Sequence, residues 1–386
     1  MAARGRARLA PLKLGLAVPR SGYLAALGEG CTRGARLGLK LTAELGLPRI
    51  ELLEGDTGES ADSAVAAARA LALQGAQLLV GCYDSAQTVA VAEVAEQLRV
   101  PFLINVGAAP TITQQGYRFV FRNFPDALRI VRDSYALQKQ LFALTGYTPR
   151  SVALLYINNG RGIELIDSEW MRAHMPYERA ASISYDPRSP DLSAEVAAAR
   201  ASGADAIWTV SRMDDAIRIT RELVRMDWTP GILMSSNASL HESAYRSALG
   251  VYAEYAITFA PFYAPQTPLS RKVHALLDHE EPGAVLGTAE VYTCEALLIA
   301  ADAYRRASSP AGEPLAQALR ETHLTQSLTG PPIRFDGHGQ NTRLGLTAIQ
   351  NLNGQGRVVL PRSAAQARPV LPMPAWSERP HRPGGG

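Results

Sequence analysis

The hydrophobic positions near the start of the chain fall into short apolar runs separated by longer amphipathic stretches. The run Leu12–Val18 is followed by a Pro/Ser/Gly turn and then by a helical pattern over about 23–45. Further apolar runs lie at 50–53, 78–80 and 102–105, and further helical patterns lie at 60–74 and 85–98. Strands and helices that alternate at this spacing predict an α/β fold with a parallel sheet covered by helices on both faces.

The same pattern occurs a second time, with local sequence echoes. The segment Val65-Ala-Ala-Ala-Arg69 returns as Val196-Ala-Ala-Ala-Arg200, and Gly-Ala followed by a polar residue precedes an apolar run in both copies. Three pairs of landmarks are separated by 131, 128 and 129 residues: Arg69 and Arg200, Gly75 and Gly203, Pro101 and Pro230. A nearly constant separation predicts two similar doubly wound lobes in tandem.

One helical pattern of the second copy, which begins at Met213, separates apolar from charged residues. We assign Asp214, Asp215 and Arg218 to the charged face and Ala216 and Leu223 to the apolar face. This pattern predicts a surface helix that covers a sheet, with both aspartates directed outward.

Composition and charge narrow the function classes. The 39 basic and 36 acidic residues give a net charge of +3 and are scattered along the chain, which argues against a nucleic-acid partner. No apolar run approaches the ~20 residues that a membrane span needs. Cys31, Cys82 and Cys294 are far apart in sequence and lack CxxC spacing, so we expect buried free thiols.

Motifs for catalysis and cofactor binding do not occur in the sequence. The segment after the first strand, from Gly15 to Gly22, is not a GxGxxG motif, and there is no P-loop, GxSxG or HExxH pattern. We therefore expect a protein that is not an enzyme and uses no cofactor or metal.

The two ends of the chain carry separate expectations. The charged segment 1–11 is not followed by the apolar stretch of a leader peptide, which favours a protein that is not exported. The segment 361–386 is rich in Pro, Arg and Gly without apolar periodicity, which predicts a disordered tail.

Ligands of open α/β sheets bind beyond the carboxyl ends of the strands, so two facing lobes would enclose a cleft. The candidate ligand-binding residues are those that follow the predicted strands. They are Ser21, Tyr23, Tyr83, Asp84, Ser85, Gly107, Ala108 and Ala109 in the first lobe, and Asn159, Arg212 and Ser236 in the second.

Several of these residues have a structural alternative. Ser85 is a candidate N-cap of its helix, Asp84 either caps that helix or receives a ligand cation, and Gly107 and Ala108 also suit a simple turn. Arg212 is either a surface charge or a bidentate clamp for a ligand carboxylate.

From about residue 12 to 360 the sequence resembles the type I periplasmic binding proteins of the leucine/isoleucine/valine receptor group. The motifs that carry the resemblance are short and follow one another in the family's order. They are Pro19-Arg-Ser-Gly22 with Gly28, Asp56, Leu79-Val-Gly-Cys-Tyr-Asp-Ser85, Ile104-Asn-Val-Gly-Ala108, Gly160-Arg-Gly162, and Gly330-Pro-Pro-Ile-Arg-Phe-Asp336 with Gly339.

The resemblance implies two doubly wound parallel-sheet lobes joined by a three-strand hinge. The first lobe would comprise 12–126 and 258–332, and the second 127–257 and 333–360. It also implies a monomeric, periplasmic receptor of an ABC importer, which closes around a small polar solute like a Venus flytrap and presents it to a membrane permease.

Carried over by position, Ser85 and the 107–109 turn would grip the carboxylate and ammonium groups of an amino acid. The sequence departs from the amino-acid receptors at four places. Leu27 falls where they have an aromatic residue, Ala109 replaces a threonine, Asn159 replaces a tyrosine, and the 235–237 loop lacks an acid. With this acid missing and Arg212 available, the sequence favours a carboxylate ligand without an amine, such as an aromatic or aliphatic acid.

Two other functions stay open at this point. The Gly81-Cys-Tyr-Asp-Ser85 loop also resembles that of the cytoplasmic amide-sensing regulators of the same superfamily, which bind amides or urea and act on a protein partner. A Rossmann-type enzyme is a more distant alternative.

Overall fold

The chain passes three times between two units, each with its own sheet. The computed structural model describes residues 10–158, 169–261, 267–282 and 284–379. Unit 1 comprises Met1–Asp126 and Phe262–Gly345, and unit 2 comprises Ala127–Pro261 and Leu346–Gly386. The second and third crossings therefore differ from the predicted boundaries at 258 and 333.

Unit 1 begins with a five-stranded parallel sheet in the order β2-β1-β3-β4-β5. Its strands are β1 (Leu12–Val18), β2 (Ile50–Asp56), β3 (Leu78–Gly81), β4 (Phe102–Ile104) and β5 (Val120–Arg122). The helices that connect the first four strands are α1 (Ala25–Glu44), α2 (Ala61–Leu73) and α3 (Ser85–Leu98). The central strands β3 and β4 are buried along their whole length, as continuous apolar runs require.

Unit 2 repeats this arrangement. Its elements are α4 (Ala127–Thr145), β6 (Ser151–Ile157), α5 (Glu169–His174), β7 (Glu178–Tyr185), α6 (Ser193–Ala201), β8 (Ala206–Val210), α7 (Met213–Arg225), β9 (Ile232–Ser235), α8 (Ser243–Leu249) and β10 (Ile257–Ala260). Strand β10 pairs in parallel with β9 inside this sheet, which is why the second crossing follows β10 and does not precede it.

The remaining segments return to unit 1 and then to unit 2. Unit 1 gains α9 (Pro268–Glu280), α10 (Thr288–Arg306), α11 (Glu313–Arg320), β11 (His323–Leu324) and β12 (Ile333–Arg334). Unit 2 gains the hairpin β13 (Thr347–Leu352) and β14 (Gln355–Leu360), which completes the seven-stranded order β14-β13-β10-β9-β8-β6-β7. Residues 333–345 stay in unit 1 because β12 pairs with β11 and Asn341 N donates to Arg122 O at 2.9 Å.

The predicted repeat is present in the backbone geometry. Gly75 and Gly203 follow α2 and α6 with φ of 90° and 72°, the left-handed region that glycine enters without a steric penalty. The second residue after each glycine donates its amide to the neighbouring strand segment: Gln77 N to Lys13 O at 2.8 Å, and Asp205 N to Ser151 O at 3.2 Å. The two doubly wound sheets predicted from the sequence are confirmed.

Glycines bring α1 and α10 of unit 1 into close contact. Gly30, Gly34 and Gly38 recur every fourth residue and face α10, and a Cβ at Gly34 would overlap the backbone of Glu290. Around them, buried small and apolar side chains such as Cys31 and Leu297 belong to the core of this unit. The glycine stripe therefore sets how near the two helices lie.

The prediction of a disordered C-terminal tail is wrong for residues 361–379, which pack on unit 2. Met373 N donates to Gly231 O at 2.8 Å, and the 5% exposed Trp376 donates from Nε1 to Trp228 O at 3.0 Å. The Arg379 guanidinium stacks 3.8 Å from the Trp376 ring centroid. Isolated anchors of this kind leave no periodic pattern, so composition alone suggested disorder.

The cysteines are buried free thiols, as predicted. Burial raises the pKa of Cys31, Cys82 and Cys294 well above the ordinary thiol value. In the part of the chain that the structure describes, no helix is long and apolar enough to cross a membrane. The same residues include no group of three or more His, Cys, Asp or Glu side chains that would hold a metal ion.

Candidate functional site

The strand order of unit 1 creates a switch point between β1 and β3. The chain leaves β1 toward β2 on one side and leaves β3 toward β4 on the other. In open α/β sheets the crevice for a ligand forms beyond the carboxyl ends of strands at such a point. The loops that follow β1, β3 and β4 therefore define the candidate site in this unit.

The loop after β1 is fastened to the loop after β2. Arg20 N donates to Asp56 Oδ1 at 2.8 Å, and Ser21 donates to the same carboxylate from its backbone and its hydroxyl. Partial burial acts to raise the pKa of Asp56, but hydrogen bonds from the Arg20, Gly58 and Ser21 donors outweigh it and lower that pKa. Tyr23 N donates to Glu59 Oε1 at 2.5 Å, and the Tyr23 ring is half exposed at the loop tip.

The loop after β3 corrects one prediction. Asp84, not Ser85, is the N-cap of α3, and its Oδ1 accepts from Ala86 N at 2.9 Å and Gln87 N at 3.2 Å. Asp84 has the extended backbone of a cap, whereas Ser85 is already the first helical residue. Tyr83, with φ of 74°, makes the tight turn between strand and cap.

Ser85 instead reaches the loop after β4. Its Oγ accepts a hydrogen bond from Ala108 N at 3.1 Å. Gly107 lies against Thr88 of α3, where a Cβ would come within 2.6 Å of Thr88 Oγ1. The structure thus brings Ser85 and the 107–109 turn together, with all eight candidate residues of unit 1 along one edge of the sheet.

A buried arginine that the sequence analysis missed supports this turn from below. Arg122, fully buried at the end of β5, donates from Nη1 to Ala109 O at 2.7 Å and to Gly107 O at 3.4 Å. Its Nη2 donates to Thr113 Oγ1 at 3.0 Å and its Nε to Gln340 Oε1 at 2.6 Å. Burial lowers the pKa of Arg122 to about 10, which still leaves a full positive charge at neutral pH. An arginine directly after the apolar run 119–121 was the available signal.

In unit 2, Arg212 occupies the N-cap position of α7 and Ser236 follows β9. Asp215 is 2% exposed and its Oδ2 accepts from Arg212 N at 3.1 Å, so its predicted outward orientation is wrong. Burial raises the pKa of Asp215, although hydrogen bonds from Arg212 and Arg218 act in the opposite direction. The helical periodicity placed Asp215 outward because it ignores the inward turn of a side chain that closes a helix N-terminus.

Hydroxyl and amide side chains on both sides of Ser236 in sequence bond to one another and to the loop after β8. Asn237 Nδ2 donates to Ser211 O at 2.5 Å, and Asn237 Oδ1 accepts from Ser239 Oγ at 2.8 Å and from Ser235 Oγ. The fully buried Thr209 and Ser235 are directly paired across β8 and β9. The loops after β8 and β9 are thereby fixed to each other. Asn159, the third candidate of this unit, lies outside the described residues.

The sequence is similar to that of known periplasmic binding proteins. The family model of periplasmic binding proteins matches residues 11–353. Leu/Ile/Val-binding protein homolog 8 of Brucella abortus (strain 2308) is 23% identical, over 94% of this chain and 93% of that protein.

Two solved structures share the architecture. The branched-chain amino acid transporter substrate binding protein LivJ of Streptococcus pneumoniae, in complex with isoleucine, has a TM-score of 0.78 at 17% identity, covering 91% of this chain and 100% of its own. An ABC transporter solute binding protein from R. palustris, in complex with benzoate, also has a TM-score of 0.78, at 16% identity and with coverage of 93% and 98%. With the match of the family model over most of its length, the chain belongs to the periplasmic binding protein family.

Proposed function

We propose that the protein is the periplasmic solute-binding receptor of an ABC importer, and that it delivers a small organic carboxylate to a membrane permease. The observation that carries the proposal is the pair of loops after β3 and β4, next to the β1/β3 switch point of unit 1, which Ser85 and Arg122 hold in a chain of this family. Loops of both units would contact the solute, and binding would shift the population toward a closed state.

Donors in unit 1 favour an anionic ligand group. The Arg122 guanidinium, whose Nη2 also lies 3.9 Å from Asp126 Oδ2, places a positive charge beside the 107–109 turn, and the Ser85 hydroxyl lies at the first turn of α3. A helix N-terminus and a buried cation both stabilise a nearby negative charge. A carboxylate is the organic group that satisfies this arrangement most simply.

Among the described residues, four carboxylates at the two strand edges are already engaged, which disfavours an α-ammonium group. Each of four acidic side chains accepts backbone amides: Asp56 from Arg20 and Gly58, Glu59 from Tyr23, Asp84 from Ala86 and Gln87, and Asp215 from Arg212. A buried ligand ammonium needs a carboxylate acceptor of this kind. Without one, its charge would be buried without a partner, which costs free energy of binding. We therefore propose a carboxylate without an amine, a class that includes the benzoate bound by the R. palustris neighbour.

Isothermal titration calorimetry against a matched panel tests the ligand class. The panel pairs benzoate, phenylacetate and 4-methylpentanoate with phenylalanine, leucine and isoleucine, and adds acetamide and urea. We expect binding of at least one simple carboxylate and none of the amino acids or amides. Binding of amino acids alone would overturn the ligand class, and binding of amides alone would favour an amide-sensing regulator.

A serine pair tests the location of the site. Ser85→Ala removes the hydroxyl that meets Ala108 N, and we expect ligand affinity to fall roughly tenfold, the effect of one hydrogen bond of about 1.4 kcal/mol. Ser202→Ala is the matched control, because its hydroxyl bonds Ala199 O after α6 and lies away from the carboxyl ends of the strands. Equal affinity of the two variants would remove Ser85 from the site.

A further inference from the structure

A buried carboxylate, that of Asp215, lies at the carboxyl edge of the sheet in unit 2. Asp215 Oδ2 accepts from Arg212 N at 3.1 Å, in the loop after β8, and lies 3.5 Å from Tyr185 Oη at the end of β7. Asp215 Oδ1 accepts from Arg218 Nη2 at 2.6 Å. The carboxylate is therefore charge-paired on one oxygen and bound to loop and strand donors on the other.

Arg218 and Tyr185 extend this contact to the other two loops. Arg218 Nη2 donates to Pro187 O at 2.8 Å, and Nη1 donates to Ser189 O, so the loop after β7 is held by the same guanidinium that pairs with the carboxylate. Tyr185 O accepts from Asn158 N at 2.7 Å, which fixes the start of the loop after β6. The ion pair thus connects the loop after β8 to the loop after β7, and Tyr185 links it to Asn158, the first residue after β6.

We propose that Asp215 is a positioning residue for solute binding: when ionised, it holds the Arg212 loop in the conformation that receives the ligand carboxylate. This role presupposes the solute-binding function proposed above. Asp215 does not touch the ligand. It acts through the backbone of Arg212 and through Arg218, and a charge-assisted hydrogen bond of this kind is about twice as strong as a neutral one.

Because Asp215 acts in its ionised form, its proposed role predicts that ligand affinity depends on pH. The groups around it are the Tyr185 hydroxyl from β7 and the Arg212 and Arg218 cations from α7 and its cap. Because burial raises the pKa of Asp215, the carboxylate takes up a proton at higher pH than an ordinary aspartate. Protonation removes the ion pair with Arg218, so ligand affinity is expected to fall as the pH decreases through this range.

The test compares Asp215→Asn with Asp214→Asn, which removes the same charge from the exposed neighbouring position in the first turn of α7. Affinity for the tightest-binding carboxylate of the panel is measured by calorimetry across the acid range. We expect Asp215→Asn to weaken binding roughly tenfold at neutral pH and to flatten the acid decline, and Asp214→Asn to do neither. Amide hydrogen exchange of the 211–215 segment is expected to be faster in Asp215→Asn only.

Three other outcomes are possible, and each has a defined consequence for the proposed role of Asp215. Wild-type exchange and affinity in Asp215→Asn, or equal losses in both variants, would overturn the proposal. If no carboxylate binds the wild type, the proposed function fails and the exchange comparison alone decides whether Asp215 holds the loop. If Asp215→Asn does not fold, Arg218→Gln replaces it, and an acid decline that does not move to higher pH overturns the proposal.

Discussion

The carboxyl edges of the two sheets are fastened by buried groups of opposite charge. In unit 1, Arg122 donates to the carbonyls of the 107–109 turn, whereas in unit 2 Asp215 accepts from the Arg212 amide. At the amino edges the two units use the same device: Lys13 N donates to Gln77 Oε1 and Arg150 N donates to Asp205 Oδ2, both at 2.9 Å. The repeated fold therefore keeps the same backbone-to-side-chain contact where the strands begin and differs at the carboxyl ends of the strands, where the proposed ligand-binding loops lie.

The largest expected effect comes from removing the buried cation of unit 1. Arg122→Met would leave the Ala109 carbonyl, Thr113 hydroxyl and Gln340 amide oxygen without their donor inside the protein. We expect a loss of about 3–5 kcal/mol in the free energy of unfolding, measured by urea denaturation. Arg118→Met is the control, because its exposed ion pair with Glu313 is worth at most about 1 kcal/mol. Equal losses would mean that the buried hydrogen bonds of Arg122 add no more to stability than an exposed ion pair does.

The C-terminal strap, residues 361–379, packs on unit 2, so its removal is expected to affect the stability of unit 2 and not that of unit 1. Trp376→Ala would empty the space beside Tyr252 and remove the donor to Trp228 O. We expect about 3 kcal/mol of destabilisation and faster amide exchange in β9, with exchange in β1 unchanged. The exposed Val370→Ala, in the same segment, is expected to change neither. A uniform increase across both units would contradict a local role for the strap.

The glycine stripe belongs to α1 of unit 1, whereas α4 of unit 2, a helix of similar length, contains no glycine. Gly34→Leu would push the side chain into the Glu290 backbone of α10, and we expect about 2 kcal/mol of destabilisation from overpacking. Thermal unfolding measures it, with the exposed Arg36→Leu on the same helix as the control. If Gly34→Leu is tolerated as well as Arg36→Leu, the close approach of α1 and α10 is not needed for stability.

The smallest effect is a pH-dependent one with opposite signs in the two units. The pKa of Asp56 is lowered, so this carboxylate contributes stability that is present above its unfolded pKa and is lost as pH falls through the folded value. The pKa of Asp215 is raised, so its contribution is present below the unfolded pKa and is lost as pH rises through the folded value.

Asp56→Asn is therefore expected to cost under about 1 kcal/mol at neutral pH, because Asp56 is exposed and screened by solvent. The cost is expected to vanish in strong acid. Melting temperatures of wild type and Asp56→Asn measured from pH 7 to pH 2 check this, with the exposed Asp278→Asn as a control. A cost that persists in acid would show that the Asp56 charge is not its source.

Regular elements of the fold followed from the sequence because their burial is periodic. The strand Leu12–Val18 and the helix Ser85–Leu98 lie where the apolar pattern predicts them, and the repeat places Gly75 and Gly203 in matching turns. Continuous apolar runs and amphipathic stripes are read directly from residue type, since the sheet buries the former and covers one side of the latter.

Side chains whose role depends on contacts distant in sequence were not predicted. Arg122 meets Gln340 from 218 residues away, and the strap is held by Met373 and Trp376 against segments near residue 230. Aspartate and serine are both good N-caps, so residue type does not decide between Asp84 and Ser85. The cap is Asp84 because it is the last residue with an extended backbone before α3. Such choices are made by three-dimensional packing and leave no local pattern.

The burial of Cys31, Cys82 and Cys294 has a practical consequence for the chemistry of labelling. A thiol reacts with maleimide dyes as the thiolate, and burial both shields these sulfurs and keeps them protonated. A single cysteine introduced at an exposed position, such as Tyr23→Cys at the tip of the β1–α1 loop, would therefore carry a fluorophore without prior replacement of the native thiols. The three buried thiols of the wild-type chain are therefore expected to add little background to a fluorescence measurement of solute binding.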